Sequence, residues 1–247
     1  MLSKRPIKRQ LTPLKDPILG QGKTGVVVRR GNTALKLPLK HSTAGLSKDH
    51  VELFNTYADM SCEALQHEKE VRRRLDRTHG VVACLNLASA GVGIEMDLMA
   101  NGSLRDYLAR HGPDKPTKLA WFREMARTLA RIHSLCVIVV DIATRNFLLA
   151  DDLSLARDNG YSIHTDIGQL GAAMYEVVAG RRCGFDLFEN KPPGPAAASW
   201  PRRENLPSTR GLWLGPIIDA CWTGGAFENA GKLSEALESA ESHSQPA

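Results

Sequence analysis

The run Leu19-Gly20-Gln21-Gly22-Lys23-Thr24-Gly25-Val26-Val27 constrains this chain more than any other stretch. Glycines at this spacing let the backbone turn tightly and approach an anion with no Cβ in the way. The residues after the glycines decide between folds. A dinucleotide-binding unit would continue straight into a helix. Here the β-branched run Val26-Val27-Val28 continues instead, Gly31-Asn32 offers a tight turn, and Thr33 to Leu37 returns as a strand. The glycines are therefore expected in a turn between two strands, where they could cover phosphates.

Downstream, the pattern changes from strand-like to helical. A helix is expected at about 51–75. Short apolar runs over 79–99 read as strands, broken by Asn101-Gly102. Residues 103–111 read as a short helix with Ser103 as its N-cap. Residues 113–117 read as a loop. Leu119, Phe122, Met125, Ala126, Leu129 and Ile132 fall on one stripe of a helix over 119–133. Val137 to Val140 is a β-type run, buried on both faces if it forms a strand. Residues 147–150 and 153–156 read as a small hairpin around Asp151-Asp152. The segment 165–179 is apolar nearly all round and ends before Gly180, which places it in the middle of a folded unit. The Pro- and Ala-rich stretch 191–203 reads as an exposed loop. Helices at 212–222 and 232–237 close the chain. Strands with one helix come first and helices dominate after about residue 103. The expected fold class is α+β, a small sheet lobe followed by a larger helical one.

No apolar run approaches the ~20 residues needed to cross a bilayer, and the basic start has no apolar core of the signal-peptide kind. The five cysteines, Cys62, Cys84, Cys136, Cys183 and Cys221, are scattered and odd in number, as expected of reduced thiols. A cytoplasmic or nuclear protein is therefore expected. The net charge of +5 is too small to mark a nucleic-acid binder by itself. Lys4, Arg5, Lys8, Arg9 and Lys15 have no aromatic residues among them, which favours a solvated tail.

Other residues suit phosphate chemistry. Residues 18–37 read as two or three short strands, and Ala34 and Lys36 share a face of the last of them, because side chains alternate across a strand. A small residue beside a cation would suit an adenine ring and its phosphates. On the next helix, Ala64, Glu68, Val71 and Leu75 form one stripe, with Glu70, Arg72, Arg73 and Arg74 mostly elsewhere. A carboxylate on an apolar stripe is costly unless a cation pairs with it. Lys36 is the natural partner. Finally, Asp141-Ile142-Ala143-Thr144-Arg145-Asn146 lies between two apolar runs, at the edge of a packed region. Asp141 could accept a hydroxyl proton and Asn146 could hold a metal through its amide oxygen. A turn built by Asp and Asn reads the same residues without chemistry.

In this order, the glycine turn, Lys36, Glu68 and Asp141…Asn146 resemble the ATP-site elements of the protein kinase family. Glu95 to Leu104 resembles the strand, hinge and helix start joining kinase lobes. Thr165 to Gly171 resembles the start of the central helix, and the Cys221-Trp222 ending is similar to that of kinase domains. The resemblance covers roughly residues 15–240. It implies a two-lobed fold with an N-lobe over 15–99 and a C-lobe over 100–240, flanked by flexible tails at 1–14 and 241–247. It also implies roles. Gly20, Gly22, Gly25, Val27, Ala34 and Lys36 would contact ATP, and Met96 would be the gatekeeper. Asp97 and Met99 would offer hinge backbone to adenine. Lys36 would hold the α- and β-phosphates and Glu68 would orient it. Asp141 would orient the acceptor hydroxyl, Asn146 would hold Mg²⁺, and Asp166 would brace the catalytic loop.

Two departures stand out. Val139-Val140 replace the His-Arg that usually precedes the catalytic Asp, so docking of a phosphorylated activation loop is not expected. Between Asn146 and Asp166 only nineteen residues remain. No Asp-Phe-Gly and no Ala-Pro-Glu fits there, and the activation segment is shortened around 150–163. Asp158-Asn159-Gly160 is the nearest substitute for the metal motif, with its Asp early and charged Arg157 before it. With Asn146 as the one remaining family ligand, metal binding should weaken and phosphoryl transfer should fall steeply.

The resemblance implies ATP and a protein substrate as partners, with γ-phosphoryl transfer to a protein hydroxyl if the domain is active. A pseudokinase acting as a binding scaffold is the main alternative. A small-molecule phosphotransferase is a lesser one, disfavoured by Asn101-Gly102-Ser103-Leu104 and Cys221-Trp222. The abrupt join near Leu155–Asp158 also fits a mis-spliced or mis-predicted gene whose parent protein is an ordinary active kinase.

Overall fold

The computed structural model describes residues 11–149, 155–156, 162–188 and 198–240. They fold into two compact units. The first runs to Asp76 and includes Ala83–Leu98; the second holds Arg77–Val82 and the chain from Met99. The α+β class expected from the sequence is what the chain adopts.

The first unit is an antiparallel sheet with one long helix. Strands β1 (Ile18–Gln21), β2 (Val26–Arg30), β3 (Thr33–Leu37) and β4 (Ile94–Asp97) lie in the order β1-β2-β3-β4. Arg30 pairs with Thr33 across the turn. Gly31 takes φ 61° there, a conformation glycine adopts without a Cβ penalty. Val26, Val28 and Leu35 are buried together, with Leu37 and Leu39 packed against them. These alternate with Val27 and Lys36, so the valine run is β-branched for strand propensity yet splits between two faces.

Helix α1 (Lys48–Arg74) starts a few residues earlier than expected. Its buried face also differs from the expected stripe. Phe54, Ser61, Leu65, Lys69 and Arg72 are buried, whereas Ala64 and Val71 are only half-buried. The stripe is rotated because two cations find polar partners inside. Lys69 Nζ, fully buried, donates to the carbonyls of Ser89 (2.7 Å) and Gly91 (2.9 Å). Of the strand-like runs at 79–99, only Ile94–Asp97 forms a strand; Cys84 makes an isolated bridge to Met96.

The second unit is mainly helical. It holds α2 (Leu104–Leu108), α3 (Lys115–Ser134), the short pair β5 (Leu148–Leu149) and β6 (Leu155–Ala156), α4 (Ile163–Ala179), α5 (Gly215–Trp222) and α6 (Ala230–Ser239). Caps fix the starts. Ser103 accepts from Asp106 N, and Asp114 accepts from Thr117 N. Ser162 and Thr165 form a reciprocal capping box, which satisfies two donors that a helix start leaves open. Gly180 ends α4 in the left-handed conformation at φ 67°.

Helix α4 is buried on nearly all sides, as its composition requires. Its glycines set how close its neighbours come. A Cβ on Gly168 would lie 2.4 Å from the Trp200 ring, and one on Gly171 would lie 2.5 Å from Cys221 Cβ. Trp222 Nε1 donates to the Gly168 carbonyl at 3.2 Å. Helix α6 packs along α3, where Arg123 donates to the Leu237 carbonyl.

Val137 to Val140 does not form a strand. Val137 and Val139 are buried, but the Val139 N–H donates to the Asp166 carboxylate at 2.6 Å instead of to a neighbouring strand. The two strands of the expected hairpin pair as Leu148 with Ala156 and Leu149 with Leu155. Its tip at Asp151-Asp152, residue Asp158, both chain ends (1–10 and 241–247) and residues 189–197, which include part of the expected 191–203 loop, lie outside the described residues. Among the described residues, no helix is long and apolar enough to cross a membrane.

Candidate active site

In the first unit, the antiparallel register builds one chemical face of the sheet. Val27 stands opposite Lys36, Lys36 opposite Ile94, and Ala34 opposite Met96. Directly opposed residues project to the same side. Val27, Ala34 and Lys36 therefore share a face, as the strand period requires.

Lys36 is half-buried, and its Nζ lies 2.5 Å from Glu68 Oε2 on α1. The pairing expected from burial cost is made. Glu68 also meets a second cation. Its Oε1 accepts from Nε and Nη2 of Arg72, each at 3.3 Å. Arg72 is only 5% exposed, and its Nη1 lies 3.6 Å from Cys84 Sγ. The sequence pattern puts Arg72 mostly off this face. The signal that could have found it is the i,i+4 spacing of Glu68 and Arg72, which sets the two side chains one above the other on a helix.

The glycine turn closes beside Lys36. Gly22 N–H donates to Gly25 O at 2.9 Å. A Cβ on Gly25 would lie 2.7 Å from Leu37 O and 3.3 Å from Lys36 Cε, so this glycine is required by close approach to β3. Gly20 and Gly22 are different. A Cβ on Gly20 would meet nothing within 4 Å, and one on Gly22 only Gly25 O at 3.9 Å. The fold itself does not need glycine at either position, and the space above them is open to a ligand. Ser61 ties α1 to this turn, donating to Thr24 O and accepting from Leu39 N, both at 2.8 Å. No sequence signal singles out this serine.

Asp97 and Met99 stand on either side of the point where the chain passes from the first unit to the second. Asp97 N–H donates to Ala83 O at 3.1 Å, within the first unit. The Met99 carbonyl accepts from Gly102 N at 3.1 Å, while its N–H meets no acceptor among the described residues.

In the second unit, the loop 141–146 is held from both ends. Ile142 N–H donates to Gln169 Oε1 at 2.7 Å, and Val139 N–H donates to Asp166 Oδ2. The α2 start is tied on through Leu104 N to Phe147 O and Arg105 N to Thr144 O. Asp166 is fully buried, and His133 Nε2 lies 2.9 Å from its Oδ2. His133 is a further brace that sequence reasoning misses; it sits at the end of α3 among residues that read only as an apolar stripe.

Asn146 Nδ2 donates to the Asp141 carbonyl at 2.8 Å. That fixes which end of the amide is engaged. Its oxygen meets no donor among the described residues. The Asp141 carboxylate is exposed and paired with Arg145, one helical turn's spacing along the chain. Asp158 lies outside the described residues, and the described residues hold no group of three His, Cys, Asp or Glu side chains suited to a metal. Burial pushes the Cys183 thiol up to about 11 and the Cys221 thiol higher still, so neither is a ready nucleophile.

Residues 15–163 match the family model for protein tyrosine and serine/threonine kinases. A search of curated proteins found no match. The matched stretch is more than half of the chain. It begins just before the glycine turn and runs past Lys36, Glu68, Asp141 and Asn146. The chain belongs to the protein tyrosine and serine/threonine kinase family.

Proposed function

We propose that this chain is an ATP-binding protein-kinase-like domain that transfers the γ-phosphoryl group to a protein hydroxyl. The observation that carries the reading is the ion pair between Lys36 and Glu68 beside the glycine turn. A cation held by a carboxylate at the mouth of a glycine turn is the arrangement phosphates need. Residues 15–99 would act as the N-lobe and 100–240 as the C-lobe.

The residues divide the work. Backbone at Gly20, Gly22 and Gly25 would cover the phosphates, and Lys36 would hold the α- and β-phosphates. Val27 and Ala34 would flank the adenine, with Asp97 and Met99 offering backbone to its edge. Asp141 would take the proton of the acceptor hydroxyl as its oxygen attacks the γ-phosphorus. The bond to the β,γ-bridging oxygen breaks and ADP leaves. Asp166 would keep the 139–142 backbone in place for that step.

The glycine turn and Lys36 suit the phosphates of ATP, whereas the described residues offer Mg²⁺ a poor ligand set. Asn146 offers one neutral oxygen, and Asp141 is turned to Arg145. A hard divalent ion prefers an oxygen-rich shell with charged ligands. Transfer is therefore expected to be slow. A scaffold without catalysis is the second reading, favoured by the absence of Asp-Phe-Gly from the sequence.

A radiolabelled-ATP assay separates the two. The proposal expects slow phosphotransfer that exceeds that of the Asp141→Ala variant. Equal signal from the two, with both folded, would leave the scaffold reading standing.

A further inference from the structure

The tip of the glycine turn carries a cation with nothing to bind. Lys23 and Thr24 span the tip between Gly22 and Gly25, and both are exposed. The turn behind them is fastened. Gly22 N–H donates to Gly25 O at 2.9 Å, and Ser61 Oγ on α1 donates to Thr24 O at 2.8 Å. Gly25 itself is buried against Leu37 O and Lys36 Cε. The front of the tip is open. The N–H groups of Lys23 and Thr24 meet no acceptor among the described residues, and Lys23 Nζ has no ion pair or hydrogen bond with them. Free backbone N–H groups beside an ammonium attract an anion. An ordinary surface lysine stands on a solvated face, whereas this one leaves a backbone pinned at both flanking positions. Two lysines thus mark the two ends of the turn, Lys36 at the closed end by Gly25 and Lys23 at the tip.

We propose that Lys23 binds the terminal phosphate of a nucleoside triphosphate and selects it over a diphosphate. The inference rests on the reading of Lys36 as the ligand of the α- and β-phosphates, and it goes further by assigning the outer end of the phosphate chain. With the inner phosphates at the closed end of the turn, the last one reaches the tip. There the lysine adds a compact charge on a flexible stem, which follows a phosphate without needing one fixed geometry. Lys23 contributes no contact to the fold, so its charge is free for the ligand.

The test is isothermal titration of ATP, ADP and adenosine in EDTA at low ionic strength, where an exposed charge is least screened. The proteins are the wild type, Lys23→Gln, Lys23→Arg and Lys48→Gln. Lys48, exposed at the first position of α1, controls for the loss of one positive charge. In Lys23→Gln, ATP affinity is expected to fall about tenfold, as for loss of a charge-assisted interaction. ADP affinity should stay within about threefold, with adenosine affinity and the melting temperature unchanged. Lys23→Arg keeps the charge and should stay within about threefold of the wild type for ATP; a loss as deep as that of Lys23→Gln contradicts the proposal. Unchanged ATP affinity in Lys23→Gln overturns it, and so does an equal fall for ATP and ADP. An equal fall in Lys48→Gln would reduce the effect to net charge and overturns it as well. A wild type that binds ATP and ADP equally overturns this inference alone. A wild type that binds neither ATP nor adenosine overturns the nucleotide reading and this inference with it.

Discussion

Lys36 and Glu68 stand 32 positions apart in the chain, and their charged groups meet at 2.5 Å. The lysine comes from a strand and the glutamate from the next helix, so the contact reports the packing of α1 on the sheet.

Removing the carboxylate should therefore cost more than one surface ion pair. Glu68→Ala removes the carboxylate that both Lys36 and the buried Arg72 contact. A loss of roughly 3 kcal/mol is expected, measured by urea denaturation against the wild type. Lys36→Met removes one of the two cations and leaves Glu68 with Arg72, so its loss should be smaller.

The glycines of the turn should separate folding from binding. In Gly25→Ala the new Cβ meets Leu37 O at 2.7 Å, and the protein should lose about 1–3 kcal/mol. Gly20→Ala meets nothing within 4 Å. Its stability should stay within about 0.5 kcal/mol of the wild type, while ATP affinity drops. Paired denaturation and nucleotide titrations on the two variants check this.

Asp166 should matter through hydrogen bonding rather than charge. Asp166→Ala orphans the buried Val139 N–H and the His133 ring, with a loss of about 3 kcal/mol expected. Asp166→Asn can still accept from Val139 through its amide oxygen, and should lose less than half as much. Thermal melts of the three proteins, with phosphotransfer read alongside, would show whether stability and activity follow the same order.

Much of this arrangement is legible in the sequence, for identifiable reasons. The glycine turn, Gly31-Asn32 and the alternation through Lys36 read as two or three short strands, because turn chemistry and period act locally, and the fold forms three. The Glu68–Lys36 pair comes from a cost argument: an acid on an apolar stripe needs a cation. Other parts are not legible. Val137 to Val140 reads as a strand by composition, but the Asp166 carboxylate, 27 positions away, captures the Val139 N–H. Arg72 reads as lying mostly off the buried face because charged residues are expected outside, and no pattern marks Lys69 as buried. Their partners, Glu68 and the carbonyls of Ser89 and Gly91, exist only once the fold has formed. His133 and Ser61 escape notice for the same reason: one polar atom on a helix carries no pattern until its acceptor arrives.

The central claim is that Lys36 holds the phosphates of ATP, and it is tested most directly by thermal shift. ATP should raise the melting temperature of the wild type nearly as much in EDTA as in Mg²⁺, and should leave Lys36→Ala, itself folded, almost unmoved. Equal shifts in the two proteins, or no shift in the wild type under either condition, would contradict it.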